Sequence, residues 1–311
     1  MTGSTLLITG ANGFIGGVIG RAWQSQGGNI VGLVRPEARV DAANITFPIH
    51  RYPLTSDEVR SAIDHFAPDV VLHAAGTAAV GASLTDPAAD YAASVGTANA
   101  ALEGIRRSGR RPRFLFPSSA AVYGEPAMLP VAETAPIHPL SPYGYHKAMA
   151  ELLIREYGRC FGVPALIFRL FSVFGPHQRR LLVHELFDRF RRDAVVTVQG
   201  TGEEMRDFLH EDDLAAGVLG LLPRISDPVV VINLATGRGT RVKTVAATMQ
   251  RLLKSPKEIR YANAAQPGNP SQWTADISAL RACAPDLDYA AAADFEQRLA
   301  KTLRGWTQGV G

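Results

Sequence analysis

The chain predicts an α/β protein, a doubly wound parallel sheet with a smaller C-terminal α/β lobe. Three observations carry that expectation. The first half alternates short, nearly uninterrupted apolar runs with amphipathic stretches, the pattern of strands covered on both faces by crossover helices. A glycine triplet, Gly10-x-x-Gly13-x-x-Gly16, follows the first of these runs. A serine pair closes a later run, at the carboxyl end where open α/β sheets keep their ligands.

The elements read as follows. Thr5–Thr9 is a strand, Phe14 to Ser25 a helix, Asn29–Val34 a strand, Ser56–His65 a helix and Val70–Ala74 a third strand. Asp90 to Arg107 reads as helix and Arg113–Pro117 as strand. Glu125 to Pro142 is proline-rich and aperiodic, which predicts a long loop over one edge. Tyr143 to Phe161 resumes as a strong helix, and Ala165–Phe171 is the next strand. After Gly175 the pattern loosens into a helix near Leu182–Arg191, a strand near Val195–Val198, a Gly-Thr-Gly turn and later helices. No internal repeat is present.

At 311 residues the chain can bury a large core, and 46% hydrophobic with 20% charged residues is ordinary for a globular protein. A net charge of +3 suits an anionic ligand without calling for nucleic acid or a membrane. Two distant cysteines, Cys160 and Cys283, build neither a disulfide framework nor a zinc site, so a reducing cytoplasm is expected. Leu6 to Gly20 is apolar but lacks the basic region of a signal peptide, and no run reaches membrane-spanning length.

In the glycine turn, Gly10 permits a tight bend, Gly13 lets a pyrophosphate approach the backbone, and Gly16 allows close helix–strand packing. The phosphates of a dinucleotide would rest on free N–H groups at the positive end of the following helix. This makes the sheet Rossmann-type. The expected division is a dinucleotide-binding domain over residues 1–175, with strands returning from about 205–240, and a mainly substrate-binding lobe over 176–311. At the end of the second strand, Gly32-Leu33-Val34-Arg35-Pro36 puts an arginine where an acid would select NAD. An arginine there accommodates a 2′-phosphate, so NAD or NADP is expected, with Arg35 favouring NADP.

Tyr143 and Lys147 stand at i and i+4 on one helix face. A phenol with pKa near 10 is a poor acid–base catalyst at neutral pH, and a nearby ammonium stabilises its phenolate. Ser119, closing the Arg113 strand, can hold a substrate oxygen against that phenol. The run Arg106 to Arg113 lacks interleaved aromatics and reads as a solvated turn after a helix C-terminus.

The chain resembles the NAD-dependent epimerase/dehydratase family, the extended branch of the short-chain dehydrogenase/reductases. TGANGFIG, HAAG at 73–76, SSAAVYG at 118–124, SPYGYHK at 141–147, RLFSVFGP at 169–176, RDFLHEDD at 206–213 and PGNPSQWTAD at 267–276 fall in that family's order. The resemblance implies that Tyr143 is the general acid/base, Lys147 its activator and Ser119 the third member. It implies cofactor contacts from Gly10, Asn12, Gly13, Phe14, Ile15 and Gly16, from Arg35, and from Ala74, Ala75 and Gly76. Ser119, Ala120, Ser172 and Arg206 are the implied substrate contacts, with Arg206 on the nucleotide pyrophosphate. A homodimer pairing the helices at Asp90–Arg107 and Tyr143–Phe161 is implied too; no metal is expected, since no ligand pattern is present. Cys160, His184 and His210 carry no partner pattern and read as structural.

The sequence also departs from the family. Dehydrating members usually carry an acid pair after the serine, where this chain has Ala120 and Ala121, which neither donate nor abstract a proton. Gln266 replaces a second arginine, Asn269 an acid, Ala93 an asparagine, and Ser172 another asparagine. The function expected is therefore C4 epimerisation of a nucleotide-linked hexose. The alternative is NADPH-dependent reduction of an NDP-4-keto-6-deoxyhexose, which Arg35 favours. A non-catalytic dinucleotide sensor or nucleic-acid binder is the reading from another class.

Overall fold

The strands are β1 (Thr5–Thr9), β2 (Asn29–Val34), β3 (Ile49–Arg51), β4 (Val70–His73), β5 (Arg113–Ser119) and β6 (Ala165–Leu170). The later ones are β7 (Ser172–Phe174), β8 (Val196–Val198), β9 (Met205–His210), β10 (Val229–Leu234), β11 (Gly239–Arg241) and β12 (Ile259–Tyr261). Seven of them pair in parallel as one sheet in the order β10-β6-β5-β4-β1-β2-β3. From β1 the chain winds outward one way through β2 and β3, then crosses to β4 and winds the other way. The switch point lies between β1 and β4, where such sheets open a ligand crevice. The structure is a computed structural model that describes residues 1–40, 45–225, 228–263, 268, 270–288, 292 and 294–309.

The helices are α1 (Phe14–Ser25), α2 (Ser56–Phe66), α3 (Val80–Thr85), α4 (Pro87–Tyr91), α5 (Thr97–Ser108) and α6 (Pro142–Phe161). They continue with α7 (Leu181–Arg192), α8 (Glu211–Leu221), α9 (Val242–Leu252), α10 (Ser278–Cys283) and α11 (Phe295–Thr307). The expected helix from Asp90 to Arg107 is interrupted: a π-helical segment, Ala92–Gly96, separates α4 from α5. Periodicity does not announce this, because an i→i+5 insertion changes the register by a single residue. Helix α6 starts where its sequence says it should. The Ser141 side chain caps the N–H of Gly144, Pro142 occupies the first turn, and Gly162 ends it.

Alternation along the strands builds two core layers. Leu6 and Ile8 turn toward Val18, Ile19 and Leu214 on the α1–α8 side. Leu7 turns the other way, toward Val59, Leu102 and Ile154 of α2, α5 and α6. Each such fully buried aliphatic side chain contributes roughly 1.5–3 kcal/mol. A third cluster, with Phe174, Phe187, Phe208, Met249 and Trp306, packs α7, α9 and α11 against a three-stranded sheet (β11-β9-β7) and the β12-β8 pair. The proline-rich segment after Glu125 carries no regular strand or helix, only an isolated bridge from Val131 to Ala275. Among the described residues no helix is long and apolar enough to cross a membrane.

Candidate active site

The glycine turn and the end of β4 meet at the switch point. Gly10 has φ +69°, and a Cβ there would lie 2.6 Å from the Ala75 amide nitrogen and 2.7 Å from the Ala74 carbonyl. Only glycine lets the two loops touch in this conformation. Helix α1 opens at Gly13 with no side-chain cap and no acidic residue in its first turn. Its leading N–H groups, from Phe14, Ile15 and Gly16, point along the positive end of a 12-residue helix. Asn12 and Gly13 are exposed, and the Asn12 amide donates to the Arg39 carbonyl at 3.0 Å, closing the turn against the loop after β2. A dinucleotide pyrophosphate fits this cradle: the donors are backbone, uncapped and free of competing acid.

Arg35 stands at the end of β2 as expected, exposed, and its guanidinium is 3.2 Å from the Glu37 carboxylate. The acid the sequence lacks beside Arg35 thus sits two residues on. Arg51 from β3 donates to the Pro36 and Ala38 carbonyls and shapes the same loop. Both arginines place positive charge on this side of the crevice.

Ser119, Tyr143 and Lys147 come together one strand over, where β5 ends beside β4. A short 3-10 turn follows Ser119, whose hydroxyl accepts from the Ala121 N–H at 3.1 Å. Helix α6 packs directly on that turn, and a Cβ on Gly144 would be 2.6 Å from the Ala121 carbonyl oxygen. This approach brings the Tyr143 phenol within hydrogen-bonding reach of Ser119. Ser83 on α3 accepts the Tyr143 N–H at 3.0 Å and fixes the first turn of α6. Lys147, 6% exposed, donates to the Pro117 carbonyl at 2.9 Å, and its ammonium lies 5.9 Å from the Tyr143 ring centroid.

Burial governs the ionisation of both groups. It pushes the Tyr143 phenol up, with the Ser119 hydrogen bond opposing and Asp90 adding to the rise. Burial pulls the Lys147 ammonium down to about 8, against Asp90 and Glu151, which hold its proton. His73, hydrogen-bonded between Thr9 and Thr97, is pushed down to about 3 by burial and by Lys147, so it is neutral. Ala120 and Ala121 are buried beside Ser119 and present no titratable group.

On the lobe side, Arg206 lies on β9 opposite Thr240 of β11. It donates to the Met205 and Ser271 carbonyls and stacks 5.3 Å over the Trp273 ring. Its neighbours in sequence have other partners: Asp207 accepts from Thr236, Gly237 and Ala275, and Asp212 pairs with Lys301 and Arg298. Ser172 is half-buried on β7, next to β9. Gln266 and Asn269, read as replacements of a family arginine and acid, lie outside the described residues. His210 is buried with Nδ1 accepting from the Asp212 N–H, His184 packs edge-on against Trp306, and Cys160 is exposed. Among the described residues no group of three or more His, Cys, Asp or Glu could hold a metal ion. Arg106 and Arg107 are paired with Glu103 and Asp57.

Two features here escaped the sequence reading. Thr77 and His146 both donate to Asp90, a buried acid in an alanine-rich segment. Arg169 makes a bidentate pair with Glu151 directly below the site. The only signal for either was an ionisable residue inside an apolar stretch, as Arg169 is within β6.

A family model described as the NAD dependent epimerase/dehydratase family matches residues 6–235. The chain is 30% identical over 298 residues to a UDP-glucose 4-epimerase from Azospirillum brasilense, covering 89% of this chain and 85% of that protein. The fold matches a UDP-N-acetylglucosamine 4-epimerase from Methanobrevibacter ruminantium, solved with UDP-N-acetylmuramic acid, at TM-score 0.89 and 23% identity over 99% of both chains. It also matches a Thermus thermophilus UDP-glucose 4-epimerase solved with NAD, at TM-score 0.84 and 24% identity over 97% of this chain and 99% of that one. With its glycine cradle at the switch point and a tyrosine, lysine and serine at the next strand end, the chain belongs to the NAD-dependent epimerase/dehydratase family.

Proposed function

We infer that the protein is a nicotinamide-dependent 4-epimerase of a nucleotide-linked hexose. The observation that carries this reading is the gathering of Ser119, Tyr143 and Lys147 one strand away from a dinucleotide cradle, with alanines where a dehydratase needs acids. Gly10 through Gly16 and Ala74, Ala75 and Gly76 hold the dinucleotide. Lys147 holds the ribose of its nicotinamide half and keeps positive charge beside Tyr143. Tyr143 takes the proton of the C4 hydroxyl and later returns it, while Ser119 keeps the C4 oxygen against the phenol. The chemistry the bound dinucleotide supplies is reversible hydride acceptance, so the net reaction is redox-neutral and only the configuration at C4 changes. Arg206, stiffened by Trp273, meets the sugar-nucleotide pyrophosphate, with Ser172 and Ala120 lining the sugar side.

The relatives' names favour a UDP-sugar and NAD, and the Arg35–Glu37 pair leaves a carboxylate on hand for a ribose diol. Arg35 and Arg51 make a bound 2′-phosphate acceptable in charge, which is the feature that supports the reductase alternative. The division of labour that suits this chemistry is cofactor on residues 1–175 with the returning strand β10, and substrate on the rest of 176–311. A homodimer is supported by an exposed apolar stripe on α6, with Tyr145, Met149 and Leu152 at i, i+4 and i+7 and Leu152 70% exposed. Leu152→Glu should then convert a dimer to monomer in sedimentation. A cytoplasmic location fits the free cysteines.

The test has two parts. Mass spectrometry of denatured protein identifies the nucleotide that co-purifies, and UDP-glucose is then incubated with the enzyme and assayed for UDP-galactose. Retained NAD with interconversion supports the epimerase. An empty site preferring NADPH, with reduction of a 4-keto sugar, shifts the function to the reductase. Binding of neither dinucleotide overturns both.

A further inference from the structure

A buried cluster behind Tyr143 and Lys147 has no part in the chemistry just described. Asp90, on α4, is 3% exposed and receives two hydrogen bonds. Thr77 donates to one carboxylate oxygen, and His146 Nδ1 donates to the other at 2.5 Å. Ser94, from the π-helical segment, stands 3.4 Å from the Thr77 hydroxyl. Thr77 directly follows Gly76, so it belongs to the cofactor-side loop after β4. His146 sits between Tyr143 and Lys147 on α6, with the Tyr91 ring edge-on at 5.5 Å. One carboxylate therefore ties the cofactor-side loop to the helix that carries the acid–base pair.

The other charged and titratable groups facing that pair are already committed. Glu151 is held by both arms of Arg169 and by Ser118, and its pull on the Lys147 proton comes after that of Asp90. His73 is neutral. No Lys or Arg among the described residues pairs with Asp90; its partner on α6 is His146, through the Nδ1 hydrogen bond. A carboxylate buried in low dielectric raises the affinity for a proton of every neighbour, whether phenol or ammonium.

We propose that Asp90 is a positioning residue of the acid–base site: through Thr77 and His146 it pins the loop after β4 to α6, and its charge holds a proton more firmly on Tyr143 and Lys147. This rests on the acid–base reading of those two residues. The measurement needs no substrate. The chain has five lysines, so ε-carbon-13 labelling gives few signals, and a Lys147→Met variant assigns the one titrating near pH 8. Asp90→Asn keeps the size of the side chain and removes its charge. The Lys147 midpoint should fall by roughly one pH unit, and the alkaline limb of kcat/KM should fall with it. A merely structural Asp90 would lower turnover and leave the midpoint in place, and that result overturns the proposal.

Should Asp90→Asn fail to fold, Thr77→Val leaves Asp90 and His146 together and removes only the pin. NAD binding by calorimetry should then weaken roughly tenfold with the Lys147 midpoint unchanged; wild-type affinity overturns the proposal. A wild-type protein without epimerase activity would sink the functional reading while leaving the lysine titration intact as a test of Asp90.

Discussion

Ser118 and Ser119 are neighbours on β5, yet they serve two clusters that handle burial in opposite ways. Ser118 donates to Glu151 at 2.6 Å and joins a network in which Arg169 binds both Glu151 oxygens, the Tyr123 hydroxyl and the Glu133 carbonyl. Tyr123 in turn donates to Asn233 at 2.6 Å, and Asn233 donates to the Val131 carbonyl. That network stitches β5, α6, β6, β10 and the proline-rich segment together with its polar groups matched. Ser119 instead faces Tyr143, and Lys147, with three N–H donors, gives one to Pro117. Both clusters are buried. One has its polar groups matched; the other leaves Lys147 donors unused, which is what the sugar hydroxyl and ribose of the proposed reaction would take up.

The largest effect should separate the two clusters. Tyr143→Phe removes one hydroxyl from the reactive cluster, so turnover should fall by about 10²–10⁴-fold with the melting temperature almost unchanged. Arg169→Met strands a buried carboxylate, so stability in urea should drop by about 3–5 kcal/mol while turnover per folded molecule falls far less than in Tyr143→Phe. If Arg169→Met lost turnover as Tyr143→Phe does, the separation would fail.

The serine pair gives a finer contrast. Ser118→Ala removes a hydrogen bond to a charged acceptor and should cost about 1.5–3 kcal/mol of stability, read by denaturation, with kcat preserved. Ser119→Ala should leave stability nearly intact and lower kcat by about 10²-fold.

The smallest effect is on pH dependence. Burial holds Lys147 near 8 when folded, below its unfolded value near 10.4. Between those values the unfolded chain binds the extra proton, so stability rises with pH across that window, by about 1.4 kcal/mol per unit at most. Activity should move the other way, because deprotonating Lys147 removes the charge beside Tyr143. Plotting urea midpoints and kcat/KM from about pH 7 to 10 shows both slopes, and Lys147→Met should flatten the first.

Legibility in the sequence followed the range of the interactions. The strands of the main sheet from β1 to β6 were readable, apart from the three-residue β3, because parallel strands are apolar on both faces. Tyr143 and Lys147 were readable because i,i+4 spacing on a helix is local geometry, and the glycine turn because its requirements are local to the backbone. The break in the Asp90–Arg107 helix was not readable, nor was Asp90 as the partner of Thr77 and His146, residues 13 and 56 positions away. The Glu37 partner of Arg35 lay within sight of the sequence but outside the position where a family pattern would look for it.

By itself, then, the sequence determined the α/β alternation, the glycine turn at the end of β1, the placing of Tyr143 and Lys147 on one face of α6 and the alanines that follow Ser119, since each rests on spacing within one element or one turn. The tertiary structure alone decided that Ser118 turns to Glu151, that Arg169 binds both oxygens of that carboxylate, and that no Lys or Arg among the described residues pairs with Asp90. Those outcomes depend on how far burial lowers the local dielectric and on which charges from distant segments arrive within a few ångströms, quantities that only the packed chain fixes.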